Sequence, residues 1–381
     1  MHPIVIIGTG LAGYSVAREY RKLDRERGLI LISRDDGNSY SKPMLSNALA
    51  QGKTAETLKL ADAAAMAKQL EADIITGKTV TRLDPDACTL DMDHETLTYG
   101  HLVLALGAEP VRLAIDGDGA GEVLSVNDLQ DYARFRAALD GKQHVTLIGA
   151  GLIGCEFAND LISAGFRVSV IDLAATPLGQ LVPPAIGQVM RDGLAGQGVD
   201  WHLGQSVARL EKREAGYQVA LTDGSRFSTD LVFSAVGLRP RTDLAATAGI
   251  PVGRGINVDR ELRTNFPYVY ALGDCAEVEG RVLPYVMPIM QAARALARTL
   301  AGEVTPVTYP AMPVVVKTPA CPLVVSPPAA ETDGEWQIEG QGMDRLARFV
   351  DAAGKLTGFA LTGTCVQQKQ ALTKELPPIL G

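Results

Sequence analysis

One pattern in this chain constrains its fold more than any other, and it occurs twice. An apolar run at residues 3–7 leads straight into Gly8, Thr9, Gly10, Leu11, Ala12 and Gly13. Helical periodicity follows from Leu11 to about Leu23, with Val16, Ala17, Tyr20 and Leu23 on one face, and a second apolar run covers 29–33. Near the middle of the chain, the run 145–148 leads into Gly149, Gly151 and Gly154, a helical stretch over 155–164 stops at Gly165, and a strand over 167–171 ends at Asp172. Uniformly apolar short runs predict buried parallel strands. In each glycine turn the first glycine permits the tight bend, the second lets the backbone approach a pyrophosphate, and the third lets helix and strand pack closely. The helix N-terminus adds partial positive charge for the phosphates. Two such units predict an α/β chain with two Rossmann-like dinucleotide-binding domains.

The acids near the second strands complete the two sites. Asp172 stands where a carboxylate accepts a bond from a free ribose 2′-hydroxyl and repels a 2′-phosphate. Arg167 lies at the wrong end of its strand to grip such a phosphate, so NADH is expected over NADPH. In the first unit the acid, Asp35, is displaced by Ser33 and Arg34, which predicts that Ser33 and Arg34 hold the adenosine end there.

Between the units, residues 102–108 read as a strand running into a Gly107 turn, with a linker from Pro110. A similar passage, 230–240, closes the second unit, and 269–274 is a third strand and turn before a helix around 290–300. From about Pro310 short strands at 314–316, 323–325, 336–338 and 348–350 and a helix over 367–376 predict a small α+β C-terminal domain. The expected division is 1–109 with 238–310 as one discontinuous domain, 110–237 inserted in it, and 311–381 as the tail.

Composition removes other classes. Lys and Arg number 36 against 44 Asp and Glu, a net charge of −8, which disfavours nucleic-acid binding. No run approaches the ~20 apolar residues of a membrane-spanning helix, so no membrane insertion is expected. Met1 and His2 lead directly into the first apolar run, so no secretory signal is expected. Five scattered cysteines, 88, 155, 275, 321 and 365, contain no C-x-x-C and fit a reducing cytoplasm. Histidines 2, 94, 101, 144 and 202 lack metal-ligand spacing, so no metal site is expected.

The order of Gly8–Gly13, residues 105–107, Gly149–Gly154, residues 237–240 and Ala271, Gly273, Asp274 resembles that of the FAD-dependent pyridine nucleotide oxidoreductases. The resemblance implies a glutathione-reductase-like fold, FAD on the first motif, NADH on the second, and Asp274 after Gly273 bonded to the ribitol chain of FAD. Disulfide-reducing and peroxide-reducing members carry redox cysteines; residues 40–47 here contain none, and Cys155 has no partner nearby in sequence. Tyr40, Lys42, Pro43, Leu45 and Ser46 resemble a stretch of the branch that reduces ferredoxin, putidaredoxin or rubredoxin. Thr318, the short tail and the chain length are most similar to its rubredoxin-reducing members, which supply alkane hydroxylation.

That resemblance implies hydride transfer from NADH to FAD, then two single-electron transfers to rubredoxin. Alternatives are flavorubredoxin, ferredoxin or, in an oxidase, oxygen as acceptor. The protein's share is positioning and electrostatics, with no covalent catalytic residue. Lys42 is expected beside the flavin and Glu156 at the nicotinamide, as a buried Lys42–Glu156 pair. Lys317 is the candidate cation near the flavin ring. Val80 is implied in a backbone contact to adenine, and Val286 at the start of the helix that points at the flavin. The assembly is expected to be a monomer or a homodimer.

Overall fold

The computed structural model describes residues 2–93 and 95–381; Met1 and His94, which entered the sequence reading, lie outside them. The two glycine motifs sit in two parallel sheets. In the first, Ile4–Ile7 lies between Leu29–Ile32 and His101–Leu104, with Asp73–Ile75 and Val269–Ala271 at the edges. In the second, His144–Ile148 lies between Arg167–Asp172 and Leu231–Ser234, and Val199–Leu203 adds to Arg167–Asp172. Each motif strand therefore stands where the chain leaves on one side and returns on the other. Such a switch point opens a crevice at the carboxyl ends of the strands.

The apolar strands are buried because helices cover them. Leu11–Arg21 follows the first turn and buries Ala12, Gly13, Val16 and Ala17. Val286–Leu300 packs on it, with Met290 Sδ 3.5 Å from Ser15 Oγ. That helix begins four residues earlier than its apolar pattern suggests, and Pro288 in its first turn costs no hydrogen bond there. The linkers at Pro110 and 237–240 meet: Ala108–Pro110 pairs antiparallel with Leu238–Pro240, a ribbon between the two sheets.

The tail is an antiparallel sheet in the order Val314–Val316, Leu323–Ser326, Leu356–Thr362, Asp344–Asp351, Gly334–Gln341. A 3-10 turn, Gly363–Gln368, and the helix Lys369–Glu375 follow it. Its inner face shares one apolar core with the second unit: Val316, Leu323, Val325 and Ala360 join Phe157, Leu161, Met190 and Leu194, together with Leu45, Ala48 and Leu58. Among the described residues no helix is long and apolar enough to cross a membrane.

Candidate active site

The two glycine turns reproduce one another closely. Gly8 has φ +117° and Gly149 has φ +106°, in the region that disfavours side chains. A Cβ on Gly13 would lie 1.9 Å from Gly8 O, and one on Gly154 1.9 Å from Gly149 O. Gly10 and Gly151 are the N-cap residues of their helices, both with φ −72° and ψ −170°. A Cβ on either would meet no protein atom within 4 Å. These two positions are spare for the fold and open only toward what the turn holds. Neither helix has a side-chain cap or an acid in its first turn, so its leading amides are left for an anion.

Both turns open into one cavity of about 2390 Å³, lined also by Lys42, Ser46, Glu156, Asp172, Asp274, Val286 and Lys317. A single ligand pocket is usually ~300–1,000 Å³, so this volume suits two extended dinucleotides. Thr9, Gly10, Leu11, Ala12, Ser33, Arg34 and Val80 line its first-motif end. Ser33 is buried, takes a bond from Thr9 Oγ1 (2.7 Å) and donates to Asp35 Oδ1 (2.5 Å). Asp35 thus supports the turn through Ser33, while Arg34 is exposed. Gly273, φ +81°, could not carry a Cβ, which would lie 2.7 Å from Ala12 Cβ; this brings Asp274 to the cavity beside the first turn. At the second-motif end, Asp172 accepts from Ala150 N (2.6 Å) and Ala174 N (2.7 Å), so it orders the glycine turn from below. The residues present fit FAD at the first turn and NADH at the second.

At the junction the expected pairing changes. Lys42 does not meet Glu156; its Nζ lies 3.5 Å from Asp274 Oδ2. The partner of Glu156 is Lys317, with Nζ 2.7 Å from Oε2 and the Lys317 amide donating to Oε1 at 2.9 Å. The reason is topological: the strand Val314–Val316 delivers Lys317 onto the helix Leu152–Ser163, while Lys42 is held in the 3-10 turn Lys42–Met44 next to Asp274. Glu156 lies in the second turn of its helix, 1% exposed.

Sequence reasoning assigned no role to three side chains here, although Ser46 belongs to the stretch that carried the resemblance. Ser46 Oγ donates to Glu156 Oε2 at 2.5 Å and accepts from Lys317 Nζ at 2.8 Å. Asp160 accepts from Leu49 N and Ala50 N, and Asn159 accepts from Ala320 N. Burial pushes the Asp160 carboxyl above its ordinary value, against the opposing pull of those amides. For Asn159 and Asp160 the available signal was their place with Glu156 in a helix that is apolar at most other positions. Cys155 is fully buried, donates to Ala150 O, and has its thiol pushed up by desolvation.

Comparison with known proteins agrees with this geometry. Residues 2–298 match the pyridine nucleotide-disulphide oxidoreductase family, and residues 306–376 match the rubredoxin binding C-terminal domain. The chain is 49% identical to the rubredoxin-NAD(+) reductase of Alcanivorax borkumensis over 381 residues, covering 100% of both chains. It is 47% identical to the enzyme of the same name from Acinetobacter baylyi, covering 100% of this chain and 99% of that one. Among solved structures, the ferredoxin reductase for the CYP199A2 system of Rhodopseudomonas palustris is similar, with TM-score 0.89 and 28% identity over 99% of this chain and 96% of that one. With its glycine turns, shared cavity and C-terminal match, the chain belongs to the pyridine nucleotide-disulphide oxidoreductase family, in the group that carries a rubredoxin-binding C-terminal domain.

Proposed function

We propose that this protein carries electrons from NADH through bound FAD to rubredoxin in the cytoplasm, in support of reactions such as alkane hydroxylation. The observation that carries the reading is the convergence of both glycine turns on one cavity, with Glu156 and Lys317 at the junction. FAD supplies the chemistry, since it takes up two electrons with a hydride and returns them one at a time. Gly8–Gly13, Ser33, Arg34, Val80, Gly273 and Asp274 would hold it; Gly149–Gly154 and Asp172 would hold NADH. Lys42, ion-paired with Asp274, would stand at the flavin end. The domain division that fits is 1–109 with 238–310 for FAD, 110–237 for NADH and 311–381 for the carrier. With no cysteine at 40–47 and Cys155 sealed in the core, electrons leave without a thiol relay.

The direct experiment is anaerobic. NADH should bleach the flavin, and oxidised rubredoxin mixed with the reduced protein should restore the colour faster than air does. Air as the faster oxidant at every salt concentration would leave an oxidase reading ahead.

The salt dependence is itself informative. The chain carries −8 and rubredoxins are acidic, so the net charges repel, while the exposed Arg254 and Arg281 line the cavity. Low salt leaves the global repulsion in place; high salt screens the local cations, since the Debye length falls to ~8 Å at physiological ionic strength. Carrier reduction should peak at intermediate salt while hydride transfer from NADH stays nearly flat. A monotonic fall in carrier reduction would mean that local attraction dominates throughout.

Asp172 should set the cofactor preference. A hydroxyl–carboxylate bond gained and a phosphate–carboxylate repulsion avoided favour NADH by roughly two decades in kcat/KM. Asp172→Ala should narrow that gap mainly by raising KM for NADH, with an added loss because Ala150 N and Ala174 N lose their acceptor. Equal use of both cofactors by the wild type would remove Asp172 from this role.

A further inference from the structure

We propose that Ser46 is a positioning residue for hydride transfer, acting through the Glu156–Lys317 pair; the inference rests on the function proposed above. An ammonium has three donors, and Lys317 Nζ places all three, on Glu156 Oε2, Ser46 Oγ and Pro43 O. The single hydroxyl hydrogen of Ser46 goes to Glu156 Oε2 at 2.5 Å rather than to Pro43 O at 3.4 Å. Ser46 therefore closes a ring: it accepts from the lysine and donates to the carboxylate that the same lysine contacts.

The ring is anchored on two sides. Ser46 is 3% exposed, and the chain just beyond it is tied by Leu49 N and Ala50 N to Asp160. Asp160 stands on the same helix as Glu156, so serine and carboxylate share one frame. Lys317 is the flexible member, a charge on a four-carbon stem that is 28% exposed. Ser46 Oγ, beside Pro43 O of the same segment, holds the ammonium against Glu156 in the cavity between the two glycine turns. Without the hydroxyl, Lys317 loses an acceptor and Glu156 loses a donor, and the pair can turn away from the reacting ends of the dinucleotides. Misplacement by ~1 Å can cost ~10²-fold in rate, and a partly retained pair should cost less.

The test is anaerobic stopped-flow reduction of the FAD-loaded protein by NADH. Ser46→Ala should lower the limiting reduction rate about tenfold, with the Kd for NADH within about twofold of wild type. FAD content and reduction by dithionite, which needs no aligned nicotinamide, should be unchanged, and the thermal midpoint should fall by only a few degrees, the loss expected for one buried hydrogen bond. Ser46→Thr keeps the hydroxyl and should restore most of the rate. In a Lys317→Met background, Ser46→Ala should add less than about a twofold effect, because the two act as a unit. A wild-type rate in Ser46→Ala, multiplicative losses in the double variant, or Ser46→Thr as slow as Ser46→Ala would each overturn the proposal. Loss of FAD or of the fold in Ser46→Ala would overturn it too, since the hydroxyl would then be structural. Failure of NADH to reduce the wild type is a different result, and it would remove the proposed function itself.

Discussion

Gly10→Val should purify as a folded, colourless protein. A Cβ at Gly10 meets no protein atom within 4 Å, so the fold has no steric objection to a side chain there. The open side of Gly10 is the side that a pyrophosphate would occupy, next to the uncapped helix Leu11–Arg21. A valine there holds the phosphates off the leading amides and removes a helix-terminus interaction worth up to ~2 kcal/mol, in addition to the direct clash. The combined effect should weaken FAD binding by at least about a hundredfold. Gly13→Ala provides the contrast: its Cβ would lie 1.9 Å from Gly8 O, a clash inside the protein, so it should fail as loss of fold. Circular dichroism and visible flavin absorbance per protein separate the two outcomes. Ligand binding stabilises by mass action, so the proper reference for the valine variant is wild type stripped of flavin. Stoichiometric FAD in a folded Gly10→Val would refute the placement of FAD on this turn.

The dinucleotide units could be read in the sequence because their physics is local. A φ of +117° at Gly8 and the close contact of Gly13 with Gly8 O demand glycine within six residues, Gly10 between them leaves the turn open toward the cavity, and the sheet requires apolar runs on both sides. The tail was less legible. Leu356–Thr362, the central strand of its sheet, carries Gly358 in its middle, which reads as a break. The glycine is there because Pro328 N would lie 2.7 Å from a Cβ, and the pairing register shifts beside it, between Phe349 and Val350. The antiparallel strands Val80–Asp84, Thr89–Met92 and Glu95–Thr98, and likewise Val207–Arg213, Gly216–Leu221 and Arg226–Thr229, also escaped notice. Their strands are short and half-exposed, and a bulge between Val207 and Arg209 breaks the two-residue alternation that would announce them.

The site divides along the same line. The residues of the glycine turns follow from spacing, whereas the partner of Glu156 lies 161 positions away and depends on how the tail sheet docks. The resemblance implied a place near the flavin for the segment of Lys42, and that segment does reach the cavity. It contributes Ser46 and Pro43 O to the junction rather than its lysine. Asn159 and Asp160 have the polarity of solvent-facing residues, and only the packed tail and the 45–58 segment turn their side of the helix into an interior.

Lys317→Met should destabilise the protein more than Glu156→Gln, although both remove the same ion pair. Glu156 is 1% exposed, so losing Lys317 leaves a carboxylate inside the protein with only Ser46 Oγ and the amide of residue 317 as donors. Removing one partner of a buried pair costs about 3–5 kcal/mol, chiefly through the charge left behind. The 28% exposure of the lysine side chain places the expected loss near the lower end, about 3 kcal/mol. Glu156→Gln strands the other charge, but that ammonium reaches water and keeps Pro43 O and Ser46 Oγ, so its loss should be about 1 kcal/mol. Combining the two substitutions removes both charges, and the double variant should be more stable than Lys317→Met alone. Activity cannot separate these cases, since every one of them disturbs the junction between the two glycine turns. The measurement is thermal and denaturant unfolding of the four proteins in excess FAD, where the order should be wild type, Glu156→Gln, the double variant, then Lys317→Met. If Glu156→Gln proved the most damaging, the cost of a stranded carboxylate would not be what holds this junction together, and the pair would owe its worth to the lysine's contacts with the 43–46 segment.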